Sequence, residues 1–348
     1  MSSQSVVGRR RFLAILAAAA GLPLLPGRPG AVPQWTWDGI ALGAAARIQL
    51  CHPDRDHARD VVERCVADLH RLESAFSLYR PDSELSQLNR DGFIDNPSHD
   101  FVALMRQSQE WGNRTDGAFD PTVQALWRLY ADHFSGSDPD SRGPSADAIA
   151  AAASLVDYRA VDIARTRVAF TKPGMAVTLN GIAQGYITDR IVRRLRDSGI
   201  ESTLVNMGEI AGVGLSGDGS PWQIGLRGTA ESPGIRIPLL NRAVATSAGD
   251  ATPFEPRRRF HHLFAPHSGT CANHWDALSV IAGSATAADA LSTALYVVPP
   301  ECAQQMLQNL GLGADVVAFE AGGRIVNLTG SPTSPSSRNR KPEEGVSS

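Results

Sequence analysis

Residues 183–206 read AQGYITDRIVRRLRDSGIESTLVN and show how the chain is built. The first part, Ala183–Ser198, is typical of a helix that ends at Gly199, and Thr203–Asn206 is typical of a strand. A glycine-rich run at residues 208–219 follows. A helix, a turn and a strand in direct succession indicate a fold in which helices and strands are mixed.

The flanking segments extend this pattern. Asp54–Glu73 has apolar residues three and four positions apart, as one buried face of a helix requires, and Asp100–Asn113 is also helix-like. Residues 135–146 are polar and rich in glycine, proline and serine, which predicts a loop. Strands are expected at Ala45–Leu50, Ala160–Ile163, Arg167–Phe170, Gln223–Arg227, Gly234–Pro238, Ala243–Thr246, Ala277–Ala282, Asp315–Glu320 and Arg324–Asn327, and a further helix at Thr286–Val298. Because these elements do not follow a strict β-α-β order, we predict the α+β class and one domain over residues 34–330.

The two ends of the chain differ from this domain. In residues 1–30, the three arginines Arg9 to Arg11 precede Phe12-Leu13 and a short alanine-rich apolar run. This order of charged and apolar segments is that of a secretory signal. The pattern Arg-Arg-x-Phe-Leu is that of a twin-arginine signal, so we expect export to the periplasm. Residues 331–348 lack apolar anchors and are predicted to be disordered.

The composition excludes some classes of function. The chain has 348 residues, 43% hydrophobic and 20% charged, with a formal net charge of −3. That charge argues against broad electrostatic binding to nucleic acid. The four cysteines have no C-x-x-C spacing, so they either pair or stay buried as structural residues.

The functional signal lies in five separated clusters, since neither a GxxxxGK[ST] loop nor a GxSxG elbow is present. The clusters are ESAFSLYRPDSELSQLN at 73–89, DGAFDPT at 116–122, LNGIAQGY at 179–186, ATS at 245–247 with HHLFAPHSG at 261–269, and SVIA at 279–282 with ADALST at 288–293. Their order resembles that of the ApbE-type FAD:protein FMN transferase family, over roughly residues 38 to 328. The resemblance implies a two-lobed α+β fold that holds FAD between the lobes, with Mg²⁺ at the pyrophosphate.

A metal site is predicted at Asp289 and Thr293. They are four residues apart, so on a helix a carboxylate and a hydroxyl would lie on one face, where both can reach a hard cation such as Mg²⁺. The pair is also common on solvated helices, but here its neighbours are small and apolar. The resemblance implies that the backbone carbonyl of Gly181 completes the site.

The resemblance also implies an FAD site. Two of its positions depart from the family pattern: Thr178 stands where relatives often carry aspartate, and Gln184 where they often carry lysine or glutamate. Without the resemblance, Tyr79 and Phe119 are ordinary core aromatics and Asp120 is a turn or cap residue. The residues expected to contact FAD are Leu42, Tyr79, Ala118, Phe119, Asp120, Thr178, Gln184, Thr246, Ser247 and Phe264.

His262 is the predicted general base. It aligns with the histidine of the family motif His-x-x-Asp-Pro-x-x-Gly, in which Ala265 replaces the aspartate. An imidazole that titrates near neutrality can remove the proton from a threonine hydroxyl. Two alternatives stay open: His262 only binds phosphate or orients the loop, or the cluster of His261, His262, His267, Cys271 and His274 holds zinc or copper.

The predicted reaction is Mg²⁺-dependent transfer of FMN from FAD to a threonine of an acceptor protein, with release of AMP. The expected acceptor is the FMN-binding domain of an exported or membrane redox protein. Two other functions remain open, namely an FAD-binding or storage protein without transferase activity and an Mg²⁺-dependent FAD pyrophosphatase.

Overall fold

The computed structural model describes residues 33–228, 234–320 and 323–329. The predicted signal region at 1–30 and the predicted tail at 331–348 lie outside these residues. The helices described are α1 (Arg55–Phe76), α2 (Glu84–Asp91), α3 (His99–Arg114), α4 (Gln124–Ser135), α5 (Ala146–Ala153), α6 (Ala183–Asp197), α7 (Ala285–Tyr296) and α8 (Pro300–Leu310). The strands are β1 (Gln34–Ala41), β2 (Ala44–Cys51), β3 (Phe93–Asp95), β4 (Val161–Ile163), β5 (Arg167–Phe170), β6 (Thr203–Asn206), β7 (Ile210–Val213), β8 (Trp222–Leu226), β9 (Ile235–Leu239), β10 (Arg242–Ala248), β11 (Phe264–Ala265), β12 (Thr270–Cys271), β13 (Ala277–Ala282), β14 (Asp315–Phe319) and β15 (Ile325–Thr329).

An eight-stranded sheet organises the molecule. Its order is β1-β2-β6-β7-β10-β13-β14-β15, and every neighbouring pair is antiparallel. A smaller sheet, β3-β5-β4, lies beside α3. Since the large sheet is antiparallel and the helices are interspersed along the chain, the predicted α+β class is confirmed.

The two faces of the large sheet are covered differently. Successive residues of a strand point to opposite faces, so Ala243 and Ala245 of β10 join the main core, which is shared with α1, α6 and α7, while Val244 joins a second cluster. That second cluster includes Trp222 and Leu239 of the β8–β9 hairpin. Helices therefore cover one face of the sheet and a hairpin covers part of the other.

The strongest periodic signals were placed correctly. In α1 the apolar positions Val61, Cys65, Leu69 and Leu72 are fully buried, as the spacing predicts. An aspartate, Asp54, caps this helix by accepting the backbone N–H groups of residues 56 and 57.

Several elements were not predicted from the sequence: β1, β3, β7, β11, β12, α2, α4, α5 and α8. Strand β7 shows why, because its four residues are all buried and therefore show no polar alternation within the glycine-rich run. It forms because β6 and β10 pair with it on either side, a tertiary effect that local propensity does not report.

The four cysteines are free thiols in the structure. Cys65 is buried in α1, and burial raises its pKa to about 12. Burial likewise raises the pKa of Cys271 to about 11. These two thiols therefore act as packing groups.

Among the described residues, no helix combines the length and the apolar character that crossing a bilayer requires.

Helices α6 and α7 approach each other unusually closely at Gly185. A Cβ atom at this position would lie 2.4 Å from the carbonyl oxygen of Ala285 and 2.8 Å from the Cβ of Asp289. Both neighbours are held by helix α7, so they cannot move aside like the end of a flexible side chain. Glycine is therefore required by space here.

We predict that Gly185→Ala lowers the free energy of unfolding by about 1–3 kcal/mol, because the new methyl group separates α6 from α7. Gly283→Ala is the matched control, since a Cβ there meets nothing within 4 Å. Chemical denaturation of both variants measures the effect. Wild-type stability in Gly185→Ala would contradict the close approach.

Candidate functional site

A cavity of about 860 Å³ lies where the start of α6, helix α7 and strand β10 meet the segments before α4 and β11. This volume is in the range of small-molecule sites. Ala118 is buried beside the cavity without lining it. All the other residues predicted for the site line it: Leu42, Tyr79, Phe119, Asp120, Thr178, Gly181, Gln184, Thr246, Ser247, His262, Phe264, Asp289 and Thr293.

Asp289 is an acid in the middle of α7 that is only 4% exposed. Its carboxylate accepts the backbone N–H of Gly185 at 2.9 Å and has no ion pair among the described residues. Burial raises the pKa of Asp289 to about 7, and the nearby charge of Asp189 acts in the same direction. A buried carboxylate without a cation is costly, so this position favours a positively charged ligand.

Thr293 lies one helical turn after Asp289 and borders the same cavity. Within the part of the chain that the structure describes, its hydroxyl makes no hydrogen bond. A Cβ on Gly181 would lie 2.9 Å from Thr293 Oγ1, so the backbone at Gly181 passes directly beside this hydroxyl. A carboxylate, a hydroxyl and a main-chain segment thus converge, and oxygen donors of these kinds suit Mg²⁺.

His262 borders the cavity from the segment before β11. Its backbone N–H donates to the carbonyl of Thr252 at 3.3 Å. The ring Nδ1 is buried and has no hydrogen-bond partner among the residues that the structure describes. Burial, with a smaller effect of His261, lowers the pKa of His262 to about 4, so the imidazole is neutral at physiological pH.

A comparison with protein families decides the assignment. The model of the ApbE family matches residues 42–317, a range that contains all the residues named above for the cavity. The chain belongs to the ApbE family.

Relatives and solved structures agree with this family assignment. The chain is 29% identical to an FAD:protein FMN transferase of Treponema pallidum, over 74% of this chain and 77% of the relative. It is 27% identical to one of Klebsiella pneumoniae, over 82% and 85%. The crystal structure of the flavinyl transferase ApbE of Pseudomonas stutzeri, in its apo form, matches with a TM-score of 0.72 and 27% identity, over 86% of this chain and 94% of that chain. The ApbE protein of Thermotoga maritima matches with a TM-score of 0.73 and 27% identity, over 85% and 97%.

Glu209 is a cavity residue of this ApbE family member that the sequence analysis missed. It is 7% exposed, and burial together with the charge of Asp289 raises its pKa well above the usual range. Glu209 lies in the glycine-rich run at residues 208–219, outside the five clusters, and nothing in the local sequence marks the acid as buried. Its burial follows from the pairing of β7 with β10.

Asp120 has local partners that explain its position. Its carboxylate accepts the backbone N–H and the hydroxyl of Thr122, and the backbone N–H of Tyr158 at 3.1 Å. Burial raises its pKa despite these hydrogen bonds. Asp120 therefore serves as a cap for the turn that leads into α4, and it also borders the cavity.

The polar residues on β10 have partners in the core. Thr246 pairs with Ser279 across the β10–β13 register, with the two hydroxyl oxygens 2.8 Å apart. The hydroxyl of Ser247 lies 2.9 Å from that of Ser292 on α7. The first pair therefore links two strands of the sheet, and the second joins the sheet to the helix that carries Asp289.

The two positions that depart from the family pattern are neutral in this chain but remain at the cavity. Thr178 Oγ1 accepts the backbone N–H of Asn180 at 3.2 Å. Gln184 lies against the backbone at Gly208, where a Cβ would come within 2.1 Å of its Nε2. Gly208 has a φ of 106°, a conformation that favours glycine.

The aromatic residues predicted for the flavin differ in exposure. Phe264 is buried and packs near Tyr130, with ring centroids 5.1 Å apart. Phe119 is also buried, close to Gly181. Tyr79 is 61% exposed and borders the cavity, so a large apolar face stands at the opening.

The histidine cluster that suggested zinc or copper is dispersed in the fold. His261 accepts the backbone N–H of Leu263 at Nδ1 and contacts Asn273 at 3.2 Å through Nε2. His267 contacts the carbonyl of Asp116, and the thiol of Cys271 donates to the carbonyl of His261. Over residues 33–228, 234–320 and 323–329, no group of three or more His, Cys, Asp or Glu side chains is arranged to hold a metal ion.

The lowered pKa of His262 predicts a pH dependence of stability. The folded-state pKa of about 4 lies below the unfolded value of 6.5, so the unfolded state binds the proton first and stability falls as the pH drops from 6.5 toward 4. We expect wild type to lose about 3 kcal/mol more than His262→Gln between pH 7.5 and pH 4. Denaturant titrations of both proteins at each pH measure this, and parallel pH profiles would contradict it.

Proposed function

We propose that this chain is an FAD:protein FMN transferase, as its curated relatives are named. It would use Mg²⁺, transfer FMN to a threonine hydroxyl of an acceptor protein and release AMP. The observation that carries the proposal is the convergence of Asp289, Thr293 and His262 on one cavity of flavin-binding size.

The cation-binding residues in this proposal are Asp289, Thr293 and the backbone carbonyl of Gly181. Their chemistry fits Mg²⁺, because the acid is buried without a positive partner and the hydroxyl has no hydrogen bond within the described residues. When bound, Mg²⁺ neutralises charge on the pyrophosphate and on the leaving phosphate.

The flavin would lie against the aromatic side of the cavity. Tyr79 and Phe119 offer flat faces for ring stacking, and Leu42 adds apolar contact from the β1–β2 turn. The backbone N–H of Leu42 donates to the carboxylate of Glu73 on α1, which fixes that turn. The β1–β2 turn therefore forms a fixed part of the cavity wall.

The transfer step needs a base near the phosphate. In our proposal the threonine oxygen attacks the FMN phosphorus, the new P–O bond forms, and the bond to the bridging oxygen breaks with its electron pair leaving on AMP. The threonine proton passes to Nε2 of His262, because Nδ1 is buried. The low pKa of His262 keeps this nitrogen unprotonated before the step at neutral pH.

The acceptor in this proposal is an FMN-binding domain of an exported or membrane redox protein. The support is the order of residues 1–30, which has the charged, apolar and helix-breaking segments of a twin-arginine signal. We therefore propose a periplasmic location, where enzyme and acceptor would meet.

Incubation of the purified protein with FAD, Mg²⁺ and an FMN-binding acceptor domain tests the function. We expect mass spectrometry to show an acceptor that has gained one FMN, together with AMP. Free FMN with unmodified acceptor would instead identify an FAD pyrophosphatase, and unchanged bound FAD would identify an FAD-binding protein.

The variant Asp289→Ala should reduce transfer by about 100-fold or more, because removal of one ligand weakens the cation site. Asp189→Asn is not a suitable control, since Asp189 caps the start of α7 through the N–H groups of Ala285 and Thr286. Asp162→Asn, on the surface strand β4, is the suitable one and should retain full activity. Full activity in Asp289→Ala would remove the metal assignment.

Export is testable separately. Replacement of Arg9 and Arg10 by lysine should abolish periplasmic accumulation, because the twin-arginine route recognises the arginine pair. Cell fractionation with an antibody measures it, and the single change Arg28→Lys is the control. Unchanged accumulation of the double variant would reject this route.

A further inference from the structure

Glu209 is a buried acid whose charge has no counterpart among the described residues. Its side chain is 7% exposed and lines the cavity, and the backbone N–H of Thr246 favours its charged form. Among the described residues it forms no ion pair. One backbone N–H group does not replace the hydration that a carboxylate loses on burial.

A second buried acid, Asp289, increases the uncompensated negative charge of the cavity. Asp289 is 4% exposed, has one backbone hydrogen bond of its own, from Gly185, and acts electrostatically on Glu209. Two like charges in a poorly solvated site repel each other strongly. The pair is therefore stable only if a proton or a cation supplies positive charge between them.

Another buried acid of the same chain shows how such a charge is normally compensated. Asp100 is 5% exposed, yet it receives the guanidinium of Arg71, the hydroxyl of Tyr186 at 2.7 Å and the guanidinium of Arg190 at 3.6 Å. These partners lower its pKa in spite of burial. Within the described part of the chain, Glu209 and Asp289 have no such arginine or lysine partner.

The fold holds Glu209 in place from two sides. The hydroxyl of Thr188 on α6 donates to the backbone carbonyl of Glu209 at 3.1 Å, and the backbone N–H of Met207 donates to the same carbonyl. Because the main chain is fixed by α6 and by Met207 in the β6–β7 turn, the carboxylate stays at the wall of the cavity. Its position is thus built into the structure.

We propose that Glu209 is the second acidic residue of the cation site, so that one Mg²⁺ neutralises both Glu209 and Asp289. This inference rests on the proposed function, and it adds a residue that neither the spacing of Asp289 and Thr293 nor the carbonyl of Gly181 includes. A divalent ion matches two carboxylates in charge, whereas Asp289 alone would leave Glu209 uncompensated. Glu209 therefore increases the affinity for Mg²⁺.

Binding of Mg²⁺ to Glu209→Gln, measured by calorimetry with and without FAD, tests the inference. We expect the Kd for Mg²⁺ to rise about 10- to 100-fold. The melting temperature of the metal-free variant should be equal to or above that of wild type, because a like charge is removed. The concentration of Mg²⁺ needed to raise the melting temperature should increase by the same factor as the Kd.

Two further variants complete the design. Glu209→Asp keeps the charge on a shorter side chain and should give an intermediate Kd; it also carries the test if Glu209→Gln does not fold. Asp100→Asn is the matched control, since it removes a buried acid that is paired with arginines and lies away from the cavity. It should lower the melting temperature and leave the Kd for Mg²⁺ unchanged.

The outcomes separate this inference from the proposed function. A wild-type Kd in Glu209→Gln, or the absence of Mg²⁺ binding to wild type under both conditions, would overturn the role of Glu209. Tight Mg²⁺ binding that weakens in Glu209→Gln, without any transfer of FMN to an acceptor by wild type, would support Glu209 and overturn the transferase.

Discussion

The contact of α6 with α7 at Gly185 is the constraint on which the site depends. Because no side chain separates the two helices there, the backbone N–H of Gly185 reaches the carboxylate of Asp289. The same approach brings the segment at Gly181 beside Thr293. One short interhelical distance therefore sets the positions of an acid, a hydroxyl and a stretch of main chain together.

The large sheet supplies the other half of this arrangement. Strand β10 lies between β7 and β13, so it carries hydroxyl groups toward α7 and a backbone N–H toward Glu209. Strand β10 pairs with an antiparallel neighbour on each side, and this pairing holds its polar groups in place at the base of the cavity. The cavity combines a rigid polar floor with aromatic residues, Tyr79 and Phe119, along its wall.

The sequence alone predicted those features that depend on residues close together in the chain. The spacing of Asp289 and Thr293 placed both on one helical face, and the apolar period of α1 identified its buried side correctly. Glu209 could not be found in this way, because its burial depends on β7 and β10, two strands that are distant in the chain and pair in the sheet. Ala118 does not line the cavity for a simpler reason. A residue next to one that lines the cavity, here Phe119, need not itself face the cavity.

The buried thiol of Cys65 and the partly buried thiol of Cys271 bear on the compartments in which such a protein can exist. A thiol with a raised pKa is rarely ionised at neutral pH, and the ionised form is the one that oxidants and disulfides attack. These two side chains therefore keep the same chemical state in a reducing and in an oxidising compartment. A chain that completes its core in the cytoplasm could cross the membrane folded and keep that core unchanged on the other side.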